Sequence, residues 1–243
     1  MKAQVEKMRI DKYLANMGVG SRSEIKRYIK NKRVMVNGVY ITDNGLIINL
    51  DDDIRFDEKK ISYRKFVYIM MNKPQGVISA TEDKYQNTVL DLLDPSYLHF
   101  DLFPAGRLDK DTEGFLLLTN DGKLAHNMLS PKKHVEKKYY VEVIGHLINE
   151  DIDAFSGNII IDDGYECMPA KLEILDSNDI SKAYVTIKEG KFHQIKRMFE
   201  AIGKEVTYLK RLTMGPLKLD ENLELGEYRE LTEQEMQMLN DYM

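Results

Sequence analysis

The chain's 243 residues, 43% of them hydrophobic and with a net charge of −5, suffice for one large domain or two ordinary ones and are too apolar for intrinsic disorder. No run approaches the roughly 18 apolar residues of a membrane helix, and the opening MKAQVEKMRIDKY lacks the apolar stretch of a secretory leader, so a cytoplasmic chain is expected. A single cysteine, Cys167, excludes an internal disulfide framework, and with five scattered histidines no metal site is expected.

The net charge hides an uneven distribution. Residues 1–48 hold ten Lys/Arg against four acids, a net of +6, which leaves −11 on the remaining 195. A small basic module attached to a larger acidic body is the expected organisation, and a basic module most often meets a polyanion. Within it, Ile10, Tyr13, Leu14 and Met17 fall on one helical face, and Gly18 and Gly20 end that helix. Ser21 with Glu24 three residues later forms a capping box that predicts a second helix to about Lys32, burying Ile25, Tyr28 and Ile29. Its other face carries Arg22, Lys26, Arg27 and Lys30, with Arg33 close by. That imbalance favours phosphate contact over the mixed-sign pairing of an ordinary solvated face. Val34–Val36 and Val39–Ile41, joined by Asn37-Gly38, read as a hairpin, and a further strand is expected near Ile47-Ile48 or Ile54–Phe56. Residues 8–55 resemble the S4-type RNA-binding module. The resemblance implies RNA contact through Arg9, Lys12, Arg22, Lys26, Arg27, Lys30 and Arg33, and such modules occur both in enzymes and in passive ribosome-associated proteins.

The body begins after a charged stretch at 61–65, the expected linker between domains at 1–60 and 66–243. A strand is expected over Phe66–Met71, ended by the turn-forming Pro74 and Gly76. The segment 103–122 then sets Arg107, Asp109, Asp111 and Glu113 in a polar loop leading into the apolar run Phe115–Leu118. Loops anchored to rigid strands carry reacting groups. A metal site lacks histidines at ligand spacing, while a glycosidase-like carboxylate pair, a lone nucleophilic carboxylate and an ordinary acidic loop all remain open. Over Val135–Val143 a strand is expected with Tyr139 and Tyr140 on opposite sides. Over Tyr184–Phe199 a strand turns at Gly190 into a helix whose first turns hold Lys191, His193, Lys196 and Arg197. Cations there oppose the helix dipole, so a negatively charged partner would explain them.

The strings NKPQGVIS (72–79), GRLDKDTEGFLLLTNDG (106–122), EKKYYVEV (136–143) and EGKFHQIKRMFEAIG (189–203) together resemble the pseudouridine synthases of the RsuA/RluA type. The match is nearest to the S4-bearing RsuA/RluB/RluE/RluF group, and the wording after 189 is more similar to the branch that modifies small-subunit ribosomal RNA. The resemblance implies an α+β fold: a small αα-β-hairpin S4-like domain, then a domain with a mixed, largely antiparallel sheet flanked by helices. It also implies isomerisation of one uridine to pseudouridine in ribosomal RNA, free or in a small-subunit assembly particle, by a monomer that needs no cofactor, metal or membrane. By the same resemblance Asp109 is the reacting carboxylate, Lys196 its ion-pair partner, and Tyr139 a wall stacked on the extruded uracil. Arg107 fills the space the uridine leaves, Ile195 packs opposite Tyr139, and Leu108, His193 and Arg197 also touch substrate. A large-subunit synthase and a non-catalytic RNA-binding assembly factor remain as alternatives.

Overall fold

In the computed structural model of the chain, residues 6–242 are described; Lys2, part of the basic count, lies outside them. The chain divides into two compact units. One comprises the residues up to Val67 together with Asp94–Asp101, and the other Tyr68–Leu93 with Leu102 onward.

In the first unit, β1 (Lys7–Arg9) leads into α1 (Ile10–Asn16), and α2 (Arg22–Lys30) follows. The capping box forms as its sequence predicts, with Ser21 N–H donating to Glu24 Oε2 at 2.9 Å and Glu24 N–H to Ser21 Oγ at 3.3 Å. Strands β2 (Val34–Val36) and β3 (Val39–Tyr40) make the hairpin, with Asn37 and Gly38 at φ 51° and 80°, as both central positions of this turn require. Both candidate strands beyond it exist, β4 (Ile47–Asn49) and β5 (Ile54–Phe56), and β6 (Lys59–Ile61) extends the sheet β3-β2-β5-β6, while β1 pairs with β4. Ile10, Tyr13, Leu14, Ile25, Ile29, Val34, Ile48 and Ile54 close the core, each large apolar side chain contributing about 1.5–3 kcal/mol by burial. No sequence signal marks Asp94–Asp101 as part of this unit. Gly18 shows how tightly it fits there: a Cβ would stand 2.6 Å from His99 Nδ1, and φ is +70°.

The second unit is built on one nine-stranded sheet. Its strands are β7 (Tyr68–Lys73), β8 (Phe103–Pro104), β9 (Glu113–Thr119), β10 (Lys137–Ile144), β11 (Lys171–Asp176), β12 (Ile180–Ile187), β13 (Glu205–Met214), β14 (Leu217–Lys218) and β15 (Tyr228–Glu230). The order is β11-β12-β10-β13-β9-β7-β15, with β14 on β13 and β8 on β9; β13 and β9 run parallel and every other pairing is antiparallel. Helices α3 (Gly122–Leu129), α4 (Asn149–Ser156), α5 (Gln194–Ala201) and α6 (Glu233–Tyr242) flank it. The mixed, largely antiparallel sheet is the one the resemblance implies. A core of Met70, Phe115, Leu117, Leu124, Met128, Met214, Leu217 and Leu239 lies on one side. No helix among the described residues is long and apolar enough to cross a membrane.

Strand β10 alternates strictly, burying Lys137, Tyr139, Val141 and Val143 while Tyr140 and Glu142 face the other way. Tyr140 stacks edge-on with Tyr184 and Tyr208 at 6.2 and 6.0 Å. Two adjacent tyrosines thus part to opposite faces, and only Tyr139 is available to a cavity.

Candidate active site

A cavity of about 520 Å³ opens in the second unit. Its floor is the buried face of three neighbouring strands, with Lys137 and Tyr139 from β10, Ile187 from β12, and Leu209 and Arg211 from β13. The loop 106–112 and the turn 190–195 form its walls. Asp109 projects from the loop with a quarter of its side chain exposed; its Oδ1 lies 3.6 Å from His193 Nε2 and its Oδ2 3.7 Å from Lys196 Nζ. A partly exposed carboxylate thus lies between a histidine and a lysine in a cavity that the ring of Tyr139 also lines.

The loop is fixed from beneath by a residue the motif reading passed over. Lys73, at the end of β7, is fully buried, and its Nζ donates to the carbonyl oxygens of Pro74, Asp109 and Thr112, each at 3.0 Å. Burial pushes this ammonium down to about 8, against the opposing charges of Asp109, Asp111 and Glu113. Ser79 adds a second clamp, donating to the Leu108 carbonyl at 2.9 Å and accepting from its N–H at 3.0 Å. Both anchors lie within NKPQGVIS. A lysine between a strand and Pro-x-Gly was the available signal, because three converging carbonyls need a multiple donor.

The facing wall depends on Glu189, which is buried and accepts from Tyr165 Oη, Met168 N–H and Gln194 Nε2 at 2.7, 2.9 and 2.6 Å. Gln194 in turn accepts from the Lys191 N–H at 2.9 Å. This brace holds His193 in the left-handed region, φ 50°, just ahead of α5. Lys191 and His193 therefore belong to the turn and not to the helix as expected: the φ of His193 cannot continue a right-handed helix.

Of the residues expected to touch substrate, Arg107, Leu108, Asp109, Tyr139, His193 and Ile195 line one cavity. Arg107 is exposed at its edge, while Leu108, Tyr139 and Ile195 are buried. Lys196 pairs with Asp109 at 3.7 Å and also hydrogen-bonds Asp111, at 2.7 and 2.8 Å. Burial works against ionisation of Asp111, but this lysine outweighs it and holds the carboxyl below its usual range. Arg197 is not in the cavity lining; it forms ion pairs with Asp162 and Asp163, the second at 2.8 Å. One helical step separates the two cations, so α5 turns Lys196 to the loop and Arg197 away from it.

In the first unit, Lys12, Arg22, Lys26, Arg27 and Lys30 are exposed. Arg9 and Arg33 are engaged within the fold: Arg9 binds Asp11 through two hydrogen bonds of 3.1 and 2.7 Å, and Arg33 pairs with Asp57 while lying 4.6 Å over the rings of Tyr28 and Phe56. No group of three or more potential metal ligands exists among the described residues.

Fold and cavity together place a partly exposed carboxylate in a cavity of a domain joined in the chain to a basic helical module. Comparison with known proteins makes the assignment specific. Residues 67–201 match the RNA pseudouridylate synthase family, and residues 8–54 match the S4 domain. The chain is 53% identical over 237 residues to the "Uncharacterized RNA pseudouridine synthase YtzG" of Bacillus subtilis, covering 96% of this chain and 99% of that one. It is 39% identical over 236 residues to the "Ribosomal small subunit pseudouridine synthase A" of Haemophilus influenzae, covering 96% and 99%. A solved structure described as "Crystal structure of pseudouridylate synthase" superposes with a TM-score of 0.67 at 37% identity, covering 96% of this chain and 99% of that one. The chain belongs to the RNA pseudouridylate synthase family.

Proposed function

We propose that this synthase isomerises one uridine of small-subunit ribosomal RNA, with Asp109 as the reacting carboxylate. The observation that carries the reading is the placement of Asp109 in the cavity wall, 3.6 Å from His193 and 3.7 Å from Lys196, in one cavity with the buried ring of Tyr139. The small-subunit target follows the relatives named for that activity, such as the Haemophilus influenzae protein.

The uridine must leave its stack to reach the cavity, at a cost of a few kcal/mol, which phosphate contacts to the exposed cations of α2 offset. Within the cavity Tyr139 stacks on the base and Ile195 closes the other side. Arg107, at the mouth, enters the gap left in the RNA. Asp109 either attacks C1′ or removes the C2′ proton as the C1′–N1 bond breaks, with Lys196 and His193 beside it at 3.7 and 3.6 Å. The bond's electron pair stays on uracil, which rotates between apolar walls until C5 faces C1′. The new C5–C1′ bond then forms as the Asp109–C1′ bond breaks or, on the other route, as Asp109 returns its proton to C2′; the proton leaves C5 and N1 regains one, so the atoms of uridine are conserved. Residues 1–60 serve as the RNA-binding part and 66–243 as the catalytic part of a cytoplasmic, monomeric enzyme acting on free RNA or on an assembly particle.

Tritium release from RNA carrying 5-tritiated uridine tests the chemistry: Asp109→Ala is expected to abolish release while retaining RNA binding, and undiminished release would remove the assignment. Pseudouridine mapping in cells lacking the protein tests the target. The reading requires one site to vanish from small-subunit RNA, and a loss confined to large-subunit RNA contradicts it.

A further inference from the structure

Two cations on the cavity floor have no part in the scheme above. Lys137 and Arg211 are 8% and 2% exposed, yet both line the cavity. Lys137 spends one hydrogen bond on the Val135 carbonyl at 3.0 Å, and Arg211 spends its Nε on the Phe115 carbonyl at 2.7 Å. One terminal guanidinium nitrogen of Arg211 is buried with no hydrogen-bond partner in the protein. A buried donor left unpaired is destabilising, and a buried cation beside a second cation more so. The fold does not relieve this: the one carboxylate acting on Lys137 is Glu189, already committed to Tyr165, Met168 and Gln194. Such an arrangement fits a ligand that brings negative charge.

The register identifies which part of the ligand. Arg211 lies directly opposite Tyr139 across the β10–β13 pairing, and Lys137 stands two residues before Tyr139 on the same face. An aromatic ring flanked by two desolvated cations suits a planar anion. A phosphate, strongly hydrated, would remain at the mouth with Arg107, Lys191 and His193. Resting on the reading of Asp109 given above, we propose that Lys137 and Arg211 bind the oxygen edge of uracil and stabilise the monoanion formed when the C1′–N1 electron pair passes to the ring. The charge of that anion spreads over N1, O2 and O4, and both routes open to Asp109 generate it. Two fixed donors in a dry site stabilise developing charge with little reorganisation. The same contact serves rotation: a charge spread over two carbonyl oxygens finds a cation in successive orientations, so the base turns without leaving.

The test uses the full chain and free bases. 5-Nitrouracil, anionic at neutral pH, and uracil, neutral, are titrated by ligand-observed NMR. The wild type is expected to bind the nitro base roughly tenfold more tightly, the increment of one charge-assisted contact. Lys137→Met should bring the two affinities to parity, Lys137→Arg should restore the preference, and inorganic phosphate should not displace the nitro base. Asp109→Ala should keep the preference, so absence of tritium release in the wild type would sink the catalytic reading without touching this one. Equal binding of the two bases by the wild type, no binding of the nitro base at millimolar concentration, survival of the preference in Lys137→Met, or displacement by phosphate each overturns the proposal. Arg211→Lys gives a second arm should Lys137→Met fail to fold, with the preference expected to fall; a preference unchanged in that variant contradicts the role given to Arg211.

Discussion

The Nζ of Lys73 and the main-chain carbonyl of Asp109 are joined by a 3.0 Å hydrogen bond, so the residue that carries the candidate nucleophile is held from inside the sheet. The same ammonium bonds the carbonyls of Pro74 and Thr112 on either side. Replacing Lys73 with Met keeps the bulk and leaves these buried acceptors unpaired, a loss of about 3 kcal/mol in stability. The loop should also shift, and a displacement of an ångström at a reacting group costs roughly a hundredfold in rate. Urea unfolding and single-turnover tritium release measure the two effects. A variant with wild-type turnover would show that the loop holds its shape unaided.

A second prediction concerns Gly114, which follows Glu113 at the head of β9. Its φ is +100°, and a Cβ there would lie 2.2 Å from the carbonyl oxygen and 2.8 Å from the nitrogen of Arg211. Both are backbone atoms of the parallel β9–β13 pairing, where Gly114 lies opposite Arg211, so neither yields cheaply. Gly114→Ala is expected to cost more than about 3 kcal/mol and to disturb the cavity floor along with the fold. The comparison is Gly122→Ala at the start of α3, where an added Cβ meets nothing within 4 Å and stability should hold or rise by some tenths of a kcal/mol. Equal melting of the two variants would contradict this account.

The contrast between the arginines and lysines of the first unit gives a third. Lys26 and Lys30 are exposed on α2, whereas Arg33 pairs with Asp57 and covers Tyr28 and Phe56. Lys26→Ala with Lys30→Ala should weaken RNA binding and reduce the slope of log affinity against log salt by about 0.7–0.9 per lost phosphate contact, with the unfolding midpoint unchanged. Arg33→Ala should lower that midpoint through lost packing. A salt slope untouched by the lysine pair would mean that α2 does not meet the RNA backbone.

What the sequence made legible follows interaction range. The capping box of Ser21 and Glu24 and the Asn37-Gly38 turn are set by residues within three positions, and the structure reproduces both. Strand alternation separated Tyr139 from Tyr140 for the same reason. The second partner of Lys196, Asp111, was less accessible. Asp109 and Asp111 stand two residues apart in one loop and 85 or more from the lysine, and their distances differ by only an ångström. Lys137 was within reach, since period-two alternation puts it on the face of Tyr139, but charge suggests exposure where the fold imposes burial. Arg211 enters the floor only through the β9–β13 and β10–β13 pairings, which no local pattern specifies.

Burial of the two lysines gives a pH prediction in which stability and activity diverge. Burial lowers the Lys137 ammonium to about 8, the neighbouring Arg211 adds to the effect and Glu189 opposes it; burial brings Lys73 to about 8 as well. Both bind protons less tightly in the folded chain than in the unfolded one, where lysine titrates near 10.4. Between roughly pH 8 and 10 the unfolded state therefore holds more protons, and stability should rise with pH. The tyrosines act later and in the opposite sense. The Tyr165 phenol, hydrogen-bonded to Glu189, and the Tyr140 phenol, desolvated by burial and hydrogen-bonded to Glu142, are raised to about 12, so their contribution is lost only as pH climbs beyond the ordinary phenol range near 10. Turnover should fall across the interval in which stability rises, because a neutral Lys137 no longer offsets charge on the base. Lys137→Arg, which stays protonated, should move the alkaline limb of the rate profile upward. Urea midpoints and single-turnover rates measured on the same samples from pH 7 to 9.5 check both trends. Rates and midpoints that fall together would show the alkaline loss to be unfolding, and would remove Lys137 from the chemistry.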